Sequence, residues 1–332
     1  MNNDVVTIFG GSGFIGRHLV RYLAAKGALI KIAVRNPNKA KFLQPLGDVG
    51  QITFVKSNII DKESVNEIIK DSDHVINLVG TFSSRGKENF ESIHIESPKN
   101  ISLACKIHNI KSLIHVTSIG VDQKSPSQYL RSKAYGEEEV KKNFPDAIIH
   151  RPSLIFGPQD KFFNLFASIA QYTPFMPVFG ETFFSYGKTL YQPVYVQDVA
   201  IGIVNSISDN RFKGKIYELG GPSVYTFYEI IEIVLKYSGK KRFLIPFPFS
   251  YAQILATLTE FMPINIITRD QVKQLKINNV VSSKSQTLED LGITSTPLES
   301  IVPSYLDKFK RDKREFRCKY ICWLWFATSY FR

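Results

Sequence analysis

Apolar residues follow two alternating rhythms through the first half of the chain. Short apolar runs at Val5–Phe9, Leu29–Val34, Ile52–Lys56, Asp73–Val79, Ser112–Val116 and Ala147–Arg151 predict six buried strands. Between them the spacing turns helical: Leu19, Val20 and Leu23 share one face after the first run. Val65, Ile68 and Ile69 share another in a helix from Ser64, and longer helices are expected around 90–108 and from about Ser127 to Asn143. Strands alternating with helices imply parallel pairing through right-handed crossovers, so the expected class is α/β with a doubly wound parallel sheet.

Beyond Arg151 the rhythm loosens, and Phe and Pro accumulate at Phe162, Phe163, Phe166, Pro174, Phe175, Pro177 and Phe179. Strands are expected at Gln192–Val196 and Ile216–Leu219, and Thr226 with Glu229 forms a capping box before a helix over Ile230–Tyr237. Phe243–Phe249 carries too many prolines for an inner strand. The expected organisation is a domain of alternating strands and helices over 1–160 with strand returns from 190–220. A smaller lobe over 161–305 and a basic, aromatic tail over 306–332 complete it.

At 332 residues the chain can bury a substantial core, and no apolar run approaches the roughly 20 residues of a membrane-spanning helix. The net charge of +12 favours acidic partners such as phosphates, anionic lipid or an acidic protein face. The cations are spread out and no nucleic-acid motif is present, so a nucleic-acid partner is not expected. Cys105, Cys318 and Cys322 lack the paired spacing of a zinc site and read as reduced thiols; no metal is expected.

The segment Val5–Gly27 is strand, glycine turn and helix, the setting in which a glycine triplet binds a dinucleotide pyrophosphate. Gly10 allows the tight exit from the strand, Gly13 the close approach of phosphate, and Gly16 the close packing of helix on sheet. Ser12, Phe14 and Ile15 complete the turn, and the helix start offers unpaired N–H groups to the anion. After the second strand an NAD site usually carries an acid for the ribose 2′-hydroxyl. Arg35 stands there instead, with Asn36, and no acid follows until Asp48. A guanidinium suits a 2′-phosphate, so NADP(H) is the preferred cofactor, with NAD(H) left open and a solvated loop cation as the plain alternative.

Three further segments complete a family pattern: Tyr129 and Lys133 at helical i,i+4 spacing, Asn77-Leu78-Val79-Gly80, and Arg151-Pro152-Ser153 through Pro158. With the glycine turn they resemble the extended short-chain dehydrogenase/reductases. Ser127–Ala134, Gln192–Val199, Thr268–Val272 and Leu288–Ile293 are similar, more narrowly, to an atypical branch. That branch is the 39 kDa NAD(P)-binding accessory-subunit family of respiratory complex I and its bacterial relatives. The resemblance implies a Rossmann fold and a cofactor site over Asn58, Ile59, Val79, Gly80, Thr117, Pro152 and Ser153 besides the glycine turn and Arg35. It also implies that Tyr129 is a proton donor and Lys133 a holder of the nicotinamide ribose, as in active relatives.

The remaining catalytic set is incomplete. Thr117 and Ser118 offer hydroxyls after the fifth strand, while Ile119 competes for the usual catalytic position. His94 reads as a packed or solvated histidine rather than a base. The resemblance therefore implies a complex I-associated protein whose cofactor is structural. The alternative is a free NAD(P)-dependent oxidoreductase or nucleotide-sugar epimerase using Tyr129 and Lys133.

In the tail, Lys308, Lys310, Arg311, Lys313, Arg314, Arg317 and Lys319 precede the run Tyr320–Phe326. Cations beside Trp and Phe suit an anionic membrane interface or a partner surface. A solvated helix end and a tail altered by a reading-frame change are the plain readings. No leader is recognised before the first strand. The expected location is therefore the bacterial cytoplasm or an equivalent compartment, peripheral to the inner membrane.

Overall fold

The computed structural model describes residues 1–82, 86, 88–260 and 267–310. The tail from Arg311 onwards, with Cys318, Cys322 and the aromatic run, lies outside the described residues.

The chain divides into two compact units, and the first comprises Met1–Ser153, Val196–Gly220 and Val281–Ser295. Its strands are β1 (Val5–Phe9), β2 (Leu29–Val34), β3 (Ile52–Lys56), β4 (His74–Asn77), β5 (Ser112–Val116), β6 (Ile148–Pro152) and β7 (Ile216–Leu219). They form one parallel sheet in the order β7-β6-β5-β4-β1-β2-β3. Buried on both faces, Val6, Ile8, Ile30, Ile32, Val75, Ile76, Leu113 and Ile114 show almost no solvent exposure, which is why these strands read as continuous apolar runs. The chain steps outwards from β1 in one direction and from β4 in the other. That reversal opens the crevice where open α/β sheets bind ligands, at the carboxyl ends of the strands.

The crossovers are α1 (Phe14–Ala25), α2 (Lys62–Ile69), α3 (Ser97–Ile107), α4 (Gln128–Asn143) and α5 (Val196–Ile207). The helix expected from Ser64 begins two residues earlier because the Asp61 side chain caps it, accepting from the Glu63 N–H. The helix expected around 90–108 is split. A π turn over Ser92–Glu96 precedes α3, and α4 packs closely against it. A Cβ on Gly136 of α4 would sit 1.7 Å from the His94 carbonyl oxygen, so only glycine permits that approach. The strand expected over Gln192–Val196 shortens to Val194–Tyr195, because helix α5 begins at Val196.

Val281–Ser295, assigned by sequence to the smaller lobe, belongs to the first unit. Leu288, Leu291 and Ile293 are buried there and line up against Gly202 of α5.

The second unit comprises Leu154–Tyr195, Gly221–Val280 and the chain from Thr296. Its core gathers Phe156, Phe163, Phe166, Met176, Val178, Phe227, Ile230, Ile231 and Val234 around the helices Phe162–Tyr172 and Phe227–Ser238. The predicted Thr226–Glu229 capping box is present. The proline-rich stretch Phe243–Pro248 pairs in parallel with Phe175–Gly180 in a two-stranded sheet, where every strand is an edge. Among the described residues, no helix is long and apolar enough to cross a membrane.

Candidate cofactor site

All the sequence-predicted site residues fall in the first unit, at the carboxyl edge of its sheet. Gly10 adopts φ +82°, a conformation that side chains rarely take, and the Gly13 N–H donates to the Gly10 carbonyl at 3.0 Å to close the turn. A Cβ on Gly16 would lie 2.3 Å from the Gly11 carbonyl oxygen, so the third glycine makes room for the turn's own backbone. Gly13 stands at the N-cap of α1 with no side-chain cap, and Phe14 and Ile15 form the helix's first turn. The helix start therefore keeps its N–H groups for an anion. Gly10 also faces Val79: a Cβ there would be 3.3 Å from the Val79 main-chain nitrogen, so the turns after β1 and β4 touch.

At the ends of β2 and β3, Arg35, Lys56, Ser57, Asn58 and Ser64 line a cavity of about 370 Å³. Asn58 shapes its floor: its side-chain oxygen accepts from the Ile60 N–H, and its own N–H donates to the Ser64 hydroxyl. Ser57 is 6% exposed, and its buried hydroxyl oxygen has no hydrogen-bond partner. Ser57 therefore combines a place in the cavity lining with a buried hydroxyl left without a partner. Arg35 is exposed and ion-paired with Glu88. Ile59 and Val79 pack on the same apolar cluster beneath.

Toward β5, Tyr129 and Lys133 lie on one face of α4, which the Ser127 hydroxyl caps by accepting from the Leu130 N–H. Lys133 is buried, and its ammonium donates to the Val116 carbonyl at 3.3 Å. Burial pushes its pKa down to about 8. Gly80 gives the ammonium its space, since a Cβ there would sit 3.0 Å away.

Tyr129 is boxed by aromatic rings. Phe82 stacks on it with centroids 4.8 Å apart, and His94 and Phe90 meet it edge-on at 5.3 Å and 6.2 Å. His94 Nε2 accepts from the Thr81 N–H at 3.0 Å, which assigns its proton to Nδ1, 2.8 Å from the Ser132 hydroxyl. Burial, helped by the nearby Lys133 charge, drives its pKa down to about 2. His94 is thus held by hydrogen bonds through both ring nitrogens and packs against Tyr129.

The Thr117 hydroxyl donates to a Glu137 carboxylate oxygen at 3.3 Å. Glu137 also accepts both Nε and Nη2 of Arg151, at 3.0 and 2.6 Å, and Lys141 at 2.6 Å. Burial alone would raise this carboxyl, but the hydrogen bonds and charge of Arg151 and Lys141 hold it below its ordinary range. Ile119 is buried and apolar, and its N–H donates to the Pro152 carbonyl, while the Ser153 N–H donates to Leu219. Pro152 and Ser153 thus lie at the edge with these main-chain groups committed to the sheet.

With this geometry established, the comparisons with known proteins are direct. The profile of the NAD-dependent epimerase/dehydratase family matches residues 6–220. NADH dehydrogenase (ubiquinone) 1 alpha subcomplex subunit 9, mitochondrial, of Mus musculus is 38% identical over 301 residues, covering 89% of this chain and 78% of its own. The chain belongs to this branch of the NAD-dependent epimerase/dehydratase family.

The subunit 9 protein of Arabidopsis thaliana is 31% identical over 94% of this chain and 79% of its own. Among solved structures, the NAD complex of UDP-glucose 4-epimerase from Thermus thermophilus superposes with a TM-score of 0.67 at 18% identity. That match covers 92% of this chain and 99% of the other and shows the shared fold. Sequence reasoning missed Lys56, Ser57 and Ser64 among the residues that line the cavity, because they come together only once β3 pairs with β2. Phe82 and Phe90 were also missed, since nothing in their spacing announces a partner in Tyr129.

Proposed function

We propose that this chain is an NADP(H)-binding accessory subunit of a respiratory NADH:ubiquinone oxidoreductase, in which the cofactor is retained as a structural element. The relation to the subunit 9 proteins, which runs over 89% of the chain, carries the reading. A dinucleotide suits the site: the glycine turn offers bare N–H groups to a pyrophosphate, and Ser57, in the cavity lining, keeps a buried hydroxyl without a partner. Two cations, Arg35 and Lys56, line that cavity with no carboxylate among its lining residues, which favours a ribose bearing a 2′-phosphate.

When bound, the cofactor could supply hydride chemistry. In this reading Lys133 would hold the nicotinamide ribose, and the backbone at Val79 and Gly80, which meets the glycine turn and the Lys133 ammonium, would border the cofactor between its two ends. Two features support retention over turnover. Ile119 presents no hydroxyl at the position that competes for the catalytic role, and Phe82 covers a face of Tyr129. A ligand that binds only the folded chain stabilises it by mass action, whether or not it reacts.

Native mass spectrometry of gently purified protein tests the reading, with NADP(H) mass and complex I subunits expected together. Protein recovered alone and empty from mild detergent would refute it.

A further inference from the structure

We propose that Glu88 is a specificity-determining residue of the nucleoside cavity. Its carboxylate holds the Arg35 guanidinium that a 2′-phosphate would claim, and so sets how far a phosphorylated dinucleotide is preferred. This rests on the NADP(H) reading above.

Arg35 is the cavity-lining cation that is already engaged, through Nη1 to Glu88 Oε1. Both side chains are largely exposed, 76% for Arg35 and 54% for Glu88. A pair so exposed holds weakly and exchanges readily for a better anion. A phosphate dianion is that better anion, since it can take two guanidinium N–H groups and carries more charge. Lys56 supplies a second cation at the same cavity and, among the described residues, makes no ion pair. Ser57 supplies a buried hydroxyl without a partner. The phosphate therefore has positions to fill beyond the one Glu88 holds.

Glu88 does two things to such a ligand. It must be displaced from Arg35, and once displaced it remains tethered nearby as a like charge. Both weaken NADP(H), and neither touches a dinucleotide with a bare 2′-hydroxyl. Glu88 also lies two residues before Phe90, and Phe90 and Phe82 contact Tyr129 at the other end of the site. The connection after β4 therefore touches both the nucleoside end and the Tyr129 end.

The test titrates cofactor-free full chain with NADPH and with NADH by calorimetry, for wild type, Glu88→Gln, Arg35→Ala and the double variant. Glu88→Gln should tighten NADPH about fivefold, the scale of one exposed ion pair, and leave NADH unchanged. On the Arg35→Ala background the same change should tighten NADPH by clearly less, because only the like-charge repulsion is left to relieve. If Arg35→Ala lowers the NADPH preference but Glu88→Gln is neutral or weakens NADPH, the inference falls while the cofactor reading stands. If Arg35→Ala leaves the NADPH-to-NADH ratio unchanged, the cofactor reading fails and the inference with it.

Discussion

The ring of Phe82 lies nearly parallel to that of Tyr129, 14° between planes and 4.8 Å between centroids. Tyr129 is 7% exposed as a result of this and its other packing, although it follows the strand after which a proton donor would stand. Phe82 itself is 54% exposed and has little core of its own to fill.

Phe82→Ala should therefore cost only about 0.5–1.5 kcal/mol, the scale of one aromatic pair. It should also speed nitration of Tyr129, mapped by mass spectrometry. An unchanged nitration rate would show that Phe82 is not the cover.

The three glycines of the phosphate turn should separate in their effects. Gly16→Ala forces a Cβ to within 2.3 Å of a backbone oxygen and should destabilise the cofactor-free protein by about 1–3 kcal/mol or more. Gly13 is exposed, and its nearest obstacle is the Gly10 oxygen at 3.1 Å. Gly13→Ala should leave denaturation of the cofactor-free chain nearly unchanged, yet reduce the rise in Tm that added NADPH produces.

Three buried histidines predict the acid limb of stability. Burial lowers His94 to about 2 and His115 and His150 to about 3. The unfolded chain protonates these rings below about pH 6.5 while the folded chain does not. Stability is then full above that pH and lost as pH falls below it, each ring contributing up to about 1.4 kcal/mol per pH unit. Asp160, raised to about 6 chiefly by burial, works in the opposite sense between pH 6 and its ordinary carboxylate range. Ring-proton shifts of the three histidines that stay constant from pH 8 to pH 5 would confirm the assignment; a midpoint near 6.5 in any of them would refute it.

Lys133 predicts the alkaline limb. Its folded pKa of about 8 lies below the ordinary 10.5, so above pH 8 the unfolded chain binds more protons. The cofactor-free protein should gain stability, on the order of a few kcal/mol at most, as pH rises from about 8 to 10. Lys133→Met should lack that gain in denaturant titrations. NADPH should flatten the slope in wild type, because hydrogen bonds from the ammonium to a ribose favour its charged form.

The site was legible in the sequence wherever a local rule forces a residue type. Gly10 needs a positive φ, the apolar runs β1 to β6 need two covered faces, and Tyr129 and Lys133 need i,i+4 spacing on one helix. Those are properties of a few neighbouring residues, so reading along the chain recovers them. The sequence also placed Arg35 after β2 and marked the Leu288–Ile293 stretch.

Other features depend on segments far apart in sequence. Lys56 and Ser57 join Arg35 only because β3 pairs in register with β2, Val34 opposite Lys56. The Thr117 hydroxyl is turned towards Glu137, twenty positions later, because Arg151 and Lys141 hold that buried carboxylate in place. His94 is oriented by the Thr81 N–H and Ser132, and its pKa is lowered by burial and by the nearby Lys133 charge. Local chemistry determined which residues could bind a dinucleotide. Packing and charge burial across the sheet decided which groups still face it, because desolvation and hydrogen-bond partners exist only once the chain has folded.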